Sequence, residues 1–571
     1  MFPLKTFPFL SFFVFAVSSS SAIAGGSKEP EPARHGMVVS AHYLASQVGV
    51  EILKKGGNAI DAAIATGFAL AVVYPSAGNI GGGGFIVAHM NDGTVTSFDF
   101  REKAPARASD KMFVDANNRY INDLNHEGYL SVGVPGTVAG FFSAHEKLGK
   151  LPMSELLSPA IDLAEKGFLV SWALHEGLRE IDSTLRLYPA SAKAFLKDAK
   201  SVYEPGDTLR QPDLARTLKR IRESGRDGFY RGETARLIAA DMKKHGGLIT
   251  EADMATYAVS ERKPVHGTYR GYDVYSMPPP SSGGIALIEM LNILEGFDLD
   301  EAGFNSALYL HLLAEAMRRG FADRARYVGD PDFNPDMPTS KLISKDYAAM
   351  LRQSILVNKA SPSDPVWFND VVESPQTTHY SVIDASGNAV AVTFTLEYSF
   401  GSRIVADGLG FFYNNEMGDF NPWPGHTDSL GFIGTHPNLI SAGKRMLSSM
   451  TPTIVSKNGK PFLLVGSPGG RTIINTVLQV VLNVIDFKMD IGEAIAAPRM
   501  HHQWLPNRMR IEQYGTTKDS ERLLEAMGHH VRIQESTRGQ GSAMGIVVDP
   551  ETGLRYGSSD PRQNDAAVAS Y

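Results

Sequence analysis

Residues 62–73 read "AAIATGFALAVV", and they limit what this chain can become. Drawn as a helix, the stretch is apolar on every face, and such a helix has to be buried. Asn58 or Asp61 can cap its start. "RTIINTVLQVVLNVIDF", from Arg471, begins a second buried helix. The 571 residues include no cysteine, so core burial has to hold the fold together. The same absence removes any thiol nucleophile, thiolate zinc site or iron–sulfur centre.

The first residues read as an address. Lys5 precedes an apolar run of 11 residues, "FPFLSFFVFAV", too short to span a bilayer. Ala22-Ile23-Ala24 then follows the small-x-small pattern of signal cleavage. Residues 1–24 are therefore expected to be a removed secretory leader. The remaining chain is expected in a bacterial periplasm or secreted. No later segment approaches 18 apolar residues free of charge, so no membrane span is expected. The mature length exceeds one ordinary core and implies two lobes or one large composite domain. The formal net charge of −7, without an Arg-rich run, argues against nucleic-acid binding.

Residues 25–36 are polar and Pro-containing and read as a mobile mature N-terminus. Gly81 to Gly84 join a helix to the strand "FIVAHM". They lack the Lys-Ser/Thr of a phosphate loop and run the wrong way for one, so close backbone packing is the expected role. Residues 150–260 read as mostly helical. "HGTYRGYDVYSMPPPSSGG" (266–284) is a strand pair entering a Pro-Ser-Gly loop. Residues 360–376 are polar and Pro-rich, suited to an exposed segment or internal boundary. "THYSVID-ASGN-AVAVTFTL" after them alternates as a hairpin.

Few stretches carry chemistry by themselves. Gly466 to Gly470 sit between a strand and a helix, where free backbone N–H groups can hold an oxyanion. A tight turn explains them equally well. No G-x-S-x-G elbow stands in strand–turn–helix context, which weighs against a Ser-His-Asp hydrolase. His501-His502 is poorly spaced for one metal, and no H-E-x-x-H occurs. Thr377 opens a strand directly after the loose segment. Cleavage before it would give a hydroxyl whose own α-amine, of pKa about 7.7–8.0, is the base.

The chain resembles γ-glutamyltranspeptidases of the N-terminal-nucleophile hydrolase superfamily over residues 36–571. The matching stretches are "GGNAIDAAIA", "GGGGF", "DFRE", "GVPGTVAG", "PPPSSGG", "QTTHYSVID", "NNEMGDF", "LSSMTPTIV", "GSPGGRTIINTVLQ", "HHQWLP" and "SDPR". The resemblance implies an α/β (α+β) fold, a four-layer αββα sandwich of two mainly antiparallel sheets. It implies self-cleavage between Gln376 and Thr377, leaving residues 25–376 and 377–571 as an intertwined heterodimer. Thr377 then matches the nucleophile, Thr395 its supporting hydroxyl, and Gly469 and Gly470 the oxyanion hole. Arg101 matches the guanidinium that grips the substrate's α-carboxylate, helped by Ser448 and Ser449. Glu416 and Asp419 match the groups that hold the α-ammonium. Neither a cofactor nor a metal is implied. γ-Glutamyl compounds would be donors, and water, amino acids or peptides acceptors.

Two positions depart from the family pattern. Glu397 stands where the family usually has an Asn that helps bind the amino end, and Gly418 stands where Asp is frequent. With Glu397, Glu416 and Asp419 three acids crowd one site, which raises at least one pKa. That crowding also keeps another acyl specificity in view, as in the cephalosporin acylases. Residues 420–445 match a pocket lid of some members.

Overall fold

The computed structural model describes residues 28–363, 377–426, 434–534 and 540–571. Within them two seven-stranded sheets lie face to face. The first runs Ala567–Ser570, Met37–Ser40, Thr378–Ile383, Ala389–Thr395, Gly83–His89, Val95–Asp99, Ser260–Arg262. The second runs Glu31–Ala33, Arg555–Ser559, Met544–Val548, Lys460–Gly466, Thr453–Lys457, Tyr272–Ser276, Val265–Tyr269. Every pairing in both is antiparallel. Their inner faces meet where the Thr378–Ile383 and Ala389–Thr395 strands pack on Lys460–Gly466 and Met544–Val548.

Helices close both outer faces. Tyr43–Lys54, Ala59–Val73 and Thr137–Leu148 cover the first sheet, and Gly283–Leu294, Thr472–Ile485 and Ile491–Ala496 the second. The result is the expected four-layer αββα sandwich. The helix Ala59–Val73, apolar on every face beyond its first turn, is buried along its whole length, because a further helix, Met153–Lys166, packs on its other side. Its start is a capping box, with Asn58 accepting from the Asp61 amide and Asp61 from the Asn58 amide. Truncating a fully buried ring such as Phe68 would cost about 3–5 kcal/mol.

The strands that follow residue 377 form the middle of both sheets. Strands from before residue 363 flank them on either side, except at the first sheet's edge, where Ala567–Ser570 lies outside Met37–Ser40. Neither portion of the chain builds a complete sheet alone.

One expectation fails at the N-terminus. Residues 31–33 are an edge strand on Arg555–Gly557. Pro32 is tolerated there because an edge strand leaves alternate N–H groups unpaired. The glycines at 81–84 behave as expected: a Cβ on Gly81, Gly82 or Gly84 would collide with the carbonyls of Phe412, Thr395 and Thr393. The leader and Gln376 lie outside the described residues.

Candidate active site

Thr377 sits at the head of a hairpin. Thr378 pairs with Phe394, so Thr377 comes opposite Thr395. The two hydroxyl oxygens are 3.5 Å apart, and Thr395 Oγ1 accepts from the Glu397 amide at 2.9 Å. Both threonines are buried. Beneath them His379 bonds Thr393 Oγ1 at 2.8 Å and Ser381 Oγ at 3.0 Å, and burial lowers its pKa to about 3.

Lys460–Gly466 leads into the glycine turn at the same end. Gly469 and Gly470 have φ of 133° and 56°, in the region that favours glycine. Among the described residues their amides donate to no protein acceptor. The turn is fixed because Thr472 Oγ1 donates to Gly469 O at 2.7 Å and Ser467 Oγ accepts from the Ser542 amide at 2.8 Å.

Arg101 follows the strand Val95–Asp99 and is fully buried. Asp99 accepts from its amide at 3.1 Å, and Tyr257 donates its hydroxyl to its carbonyl at 2.8 Å. Its guanidinium donates to Glu416 and Asp419, to Leu447 O at 3.2 Å and to Met446 O at 3.4 Å. Burial pulls its pKa down, but the carboxylates of Glu416, Asp419 and Glu102 outweigh that and hold it charged. Glu102 lies 3.5 Å from the guanidinium. Burial pushes Glu102 up to about 7 and Glu416 well above the carboxylate range. Among the described residues both Glu102 oxygens and Glu416 Oε2 lack another hydrogen-bond partner, so a proton shared by these two carboxyls would pair them.

Ser448 and Ser449 come from a loop seated on the Pro-Ser-Gly turn. Ser448 donates its amide to Pro280 O at 3.0 Å, and its carbonyl accepts from Ser282 at 2.8 Å and 2.7 Å. Ser449 Oγ accepts from Arg324 at 3.0 Å. Glu397 has φ of 79°, a left-handed backbone that Asn adopts more readily than Glu. Its carboxylate faces His126.

These segments converge on one pocket, lined by Arg101, Thr377, Thr395, Glu397, Glu416, Asp419, Ser448, Ser449, Met450, Gly470 and Ile473. One end presents the buried Thr377 hydroxyl and the Gly470 backbone. The other presents a guanidinium among carboxylates.

A family model described as gamma-glutamyltranspeptidase matches residues 45–570. The chain belongs to the gamma-glutamyltranspeptidase family. It is accordingly an enzyme of hydrolase and transferase type. It is 47% identical to a glutathione hydrolase proenzyme of Escherichia coli (strain K12), over 95% of this chain and 93% of that one. It is 36% identical to the acylase ACY 1 proenzyme of Pseudomonas sp. (strain SE83), over 95% of each. Among solved structures, a cephalosporin acylase from Bacillus halodurans is similar with a TM-score of 0.84 at 29% identity, covering 100% of this chain and 99% of that one. Helicobacter pylori gamma-glutamyltranspeptidase is similar with a TM-score of 0.56 at 47% identity, covering 59% of this chain and 95% of that one.

For this gamma-glutamyltranspeptidase family member, the residues named from sequence meet in the pocket, except Gly469, which precedes the lining Gly470 in the chain. Arg101 is not open to the pocket as a free fork; it is held by Glu416 and Asp419. Sequence reasoning missed Glu102, Arg324 and His126. Glu102 stood in "DFRE" and could have been flagged as an acid beside the key cation. Nothing marks Arg324 or His126 locally. Within the expected lid, residues 420–445, Gly425 donates to Gly434 O at 3.1 Å, while residues 427–433 lie outside the described residues.

His501 and His502 turn to amides, Asn475 and Gln503 for one and Asn507 for the other, at 2.7–3.3 Å. Away from the pocket His311, Glu315 and His529 bring ligand atoms within 4.8 Å of one another. His311 and His529 bond each other at 2.8 Å, and Glu315 is taken by Arg318, Arg319 and Ser361. That cluster is a buried network in which, among the described residues, His529 Nδ1 is left without a partner, and its two guanidiniums would repel a cation.

Proposed function

We propose that this enzyme cleaves itself before Thr377 and then transfers γ-glutamyl groups from glutathione and related compounds to water or to amino acid or peptide acceptors. The observation that carries the reading is the pocket itself. It puts the Thr377 hydroxyl at one end and groups of both signs at the other, which suits an acyl group whose far end is zwitterionic.

In maturation Thr377 Oγ attacks the carbonyl carbon of residue 376. The peptide C–N bond breaks as an ester forms, and water releases residues 25–376 from 377–571. The interleaved strands keep the two together as a heterodimer. The freed amine, substantially neutral at mild pH, takes the Thr377 hydroxyl proton. The oxygen attacks the γ-carbonyl, while the Gly469 and Gly470 amides receive the developing negative charge. Collapse expels the leaving amine, which takes the proton. Water or an acceptor amine then attacks the γ-glutamyl ester and frees Thr377. Thr395 holds the nucleophile's hydroxyl. Ser448, Ser449 and Arg101 receive the substrate α-carboxylate, and Glu397, Glu416 and Asp419 the α-ammonium. Because Arg101 is already held by two acids, carboxylate binding requires these pairs to loosen. The setting is a bacterial periplasm or the exterior; among the described residues no helix is long and apolar enough to cross a membrane.

An amidase of other acyl specificity is the second reading, favoured by Glu397 and by the acylase relative. Purified protein should give two fragments, the smaller beginning at Thr377 on N-terminal sequencing. It should also hydrolyse γ-glutamyl-p-nitroanilide faster than glutaryl-p-nitroanilide. A preference for the glutaryl substrate would favour the second reading, and an uncut chain would sink both.

A further inference from the structure

Glu397 does not reach the pocket unaided. His126 Nδ1 lies 3.0 Å and 3.3 Å from its two carboxylate oxygens, and both residues are buried. The His126 ring is stacked on Tyr398, with centroids 4.8 Å apart and planes 9° from parallel. The loop that carries it is bolted to the segment that carries Glu416. Asn415 Nδ2 donates to His126 O at 3.1 Å, Asn125 Nδ2 donates to Gly418 O at 3.3 Å, and Tyr120 donates its hydroxyl to Asn125.

The remaining side of the ring lies against Gly418. A Cβ there would collide with the imidazole and come within 2.9 Å of Glu397 Oε1. The ring therefore has one position, and a carboxylate acceptor places the proton on Nδ1. Burial holds His126 neutral, against the pull of Asp419, Asp123, Glu127 and Glu416. A neutral N–H satisfies a carboxylate oxygen without cancelling its charge, as a Lys or Arg would.

We propose that His126 is a positioning residue for acyl-group selection: it holds the Glu397 carboxylate at the pocket wall to accept the substrate's α-ammonium, and the missing side chain at Gly418 admits its ring. This rests on the γ-glutamyl reading above. The two departures from the family pattern, at 397 and 418, thereby become one device with a third member.

The test compares γ-glutamyl-p-nitroanilide with glutaryl-p-nitroanilide, which keeps the carboxylate and lacks the amine, on processed enzyme counted by its Thr377 N-terminus. His126→Leu should raise KM for the γ-glutamyl substrate about tenfold, more than it lowers kcat. It should change the glutaryl KM far less. His126→Gln, which keeps an N–H, should restore most of the loss. In a Glu397→Gln background, His126→Leu should add nothing. Gly418→Ala should imitate His126→Leu, and if His126→Leu arrests processing, His126→Gln and Gly418→Ala carry the comparison. Equal changes for both anilides would overturn the proposal, as would a His126→Leu effect undiminished by Glu397→Gln. Wild-type enzyme inactive on the γ-glutamyl anilide would overturn the functional reading and this proposal together; active wild-type with equal effects overturns this proposal alone.

Discussion

At one end of the pocket Thr377, Thr395 and Gly470 offer hydroxyls and a backbone amide, held by a hairpin register and a glycine turn. At the other, three carboxyls surround one guanidinium, and a fourth, Glu397, lines the same pocket with a neutral imidazole behind it. The first end works by where the backbone goes. The second works by a balance of buried charge, set by segments far apart in the chain. A geometric site tolerates no change of shape, while an electrostatic site tolerates shape changes but no change of sign.

The largest expected effect is at the reaction end. Thr377→Ala should leave one uncut chain on a denaturing gel, with hydrolysis down at least roughly 10³-fold. At the recognition end, Arg101→Leu strands Glu416 and Asp419 without their cation. Breaking such a buried pair costs about 3–5 kcal/mol, to be read from denaturant unfolding. Loss of less than about 1 kcal/mol would mean that the proton shared by Glu102 and Glu416 can spread to absorb the missing charge.

Gly469→Ala puts a Cβ at φ 133°, against Thr472 Oγ1. It should lower kcat by roughly 10²-fold with KM little moved, since the displaced amides act on the transition state. A change mainly in KM would blur the division between the two ends.

Acid should act on the buried histidines. His379 and His501 have folded-state pKa values of about 3, far below 6.5. Below pH 6.5 the unfolded chain binds protons that the folded one refuses, so stability falls as pH drops. By pH 4 each accounts for roughly 3 kcal/mol at about 1.36 kcal/mol per pH step. Unfolding midpoints from pH 7 to pH 4 check this, and His379→Gln should flatten the slope. The smallest effect is Glu397→Asn. A residue tolerant of φ 79° should gain about 1 kcal/mol of stability by relieving the backbone, even as ammonium recognition changes. A loss would show that the His126 contact outweighs the strain.

Much of this was legible in the chain. The apolar helix, its Asn58–Asp61 cap, the hairpin around "ASGN" and the strand before "GSPGG" appear as read, because each follows from local periodicity and turn chemistry. Residues 31–33 were misread, because an edge strand three residues long is specified by its partner at 555–557 and not by its own composition. At the site, the hydroxyls, the glycines and the charged residues stood in recognisable motifs. Their mutual pairing did not, since Arg101 meets Asp419 across 318 positions and Glu397 meets His126 across 271.

The sequence by itself determined that this chain buries apolar helices without disulfides, and that a threonine heads a strand after a loose segment. It also determined the family motifs and their order. Only the tertiary structure decided that Arg101 is already held by two acids, that Glu102 and Glu416 can share a proton, and that Gly418 leaves room for a histidine beside Glu397. The physical reason is range. Periodicity, capping and turn preference act over a few residues and are written locally. Burial and Coulomb energy depend on which distant side chains are brought within a few ångströms, and the stacked sheets alone decide that.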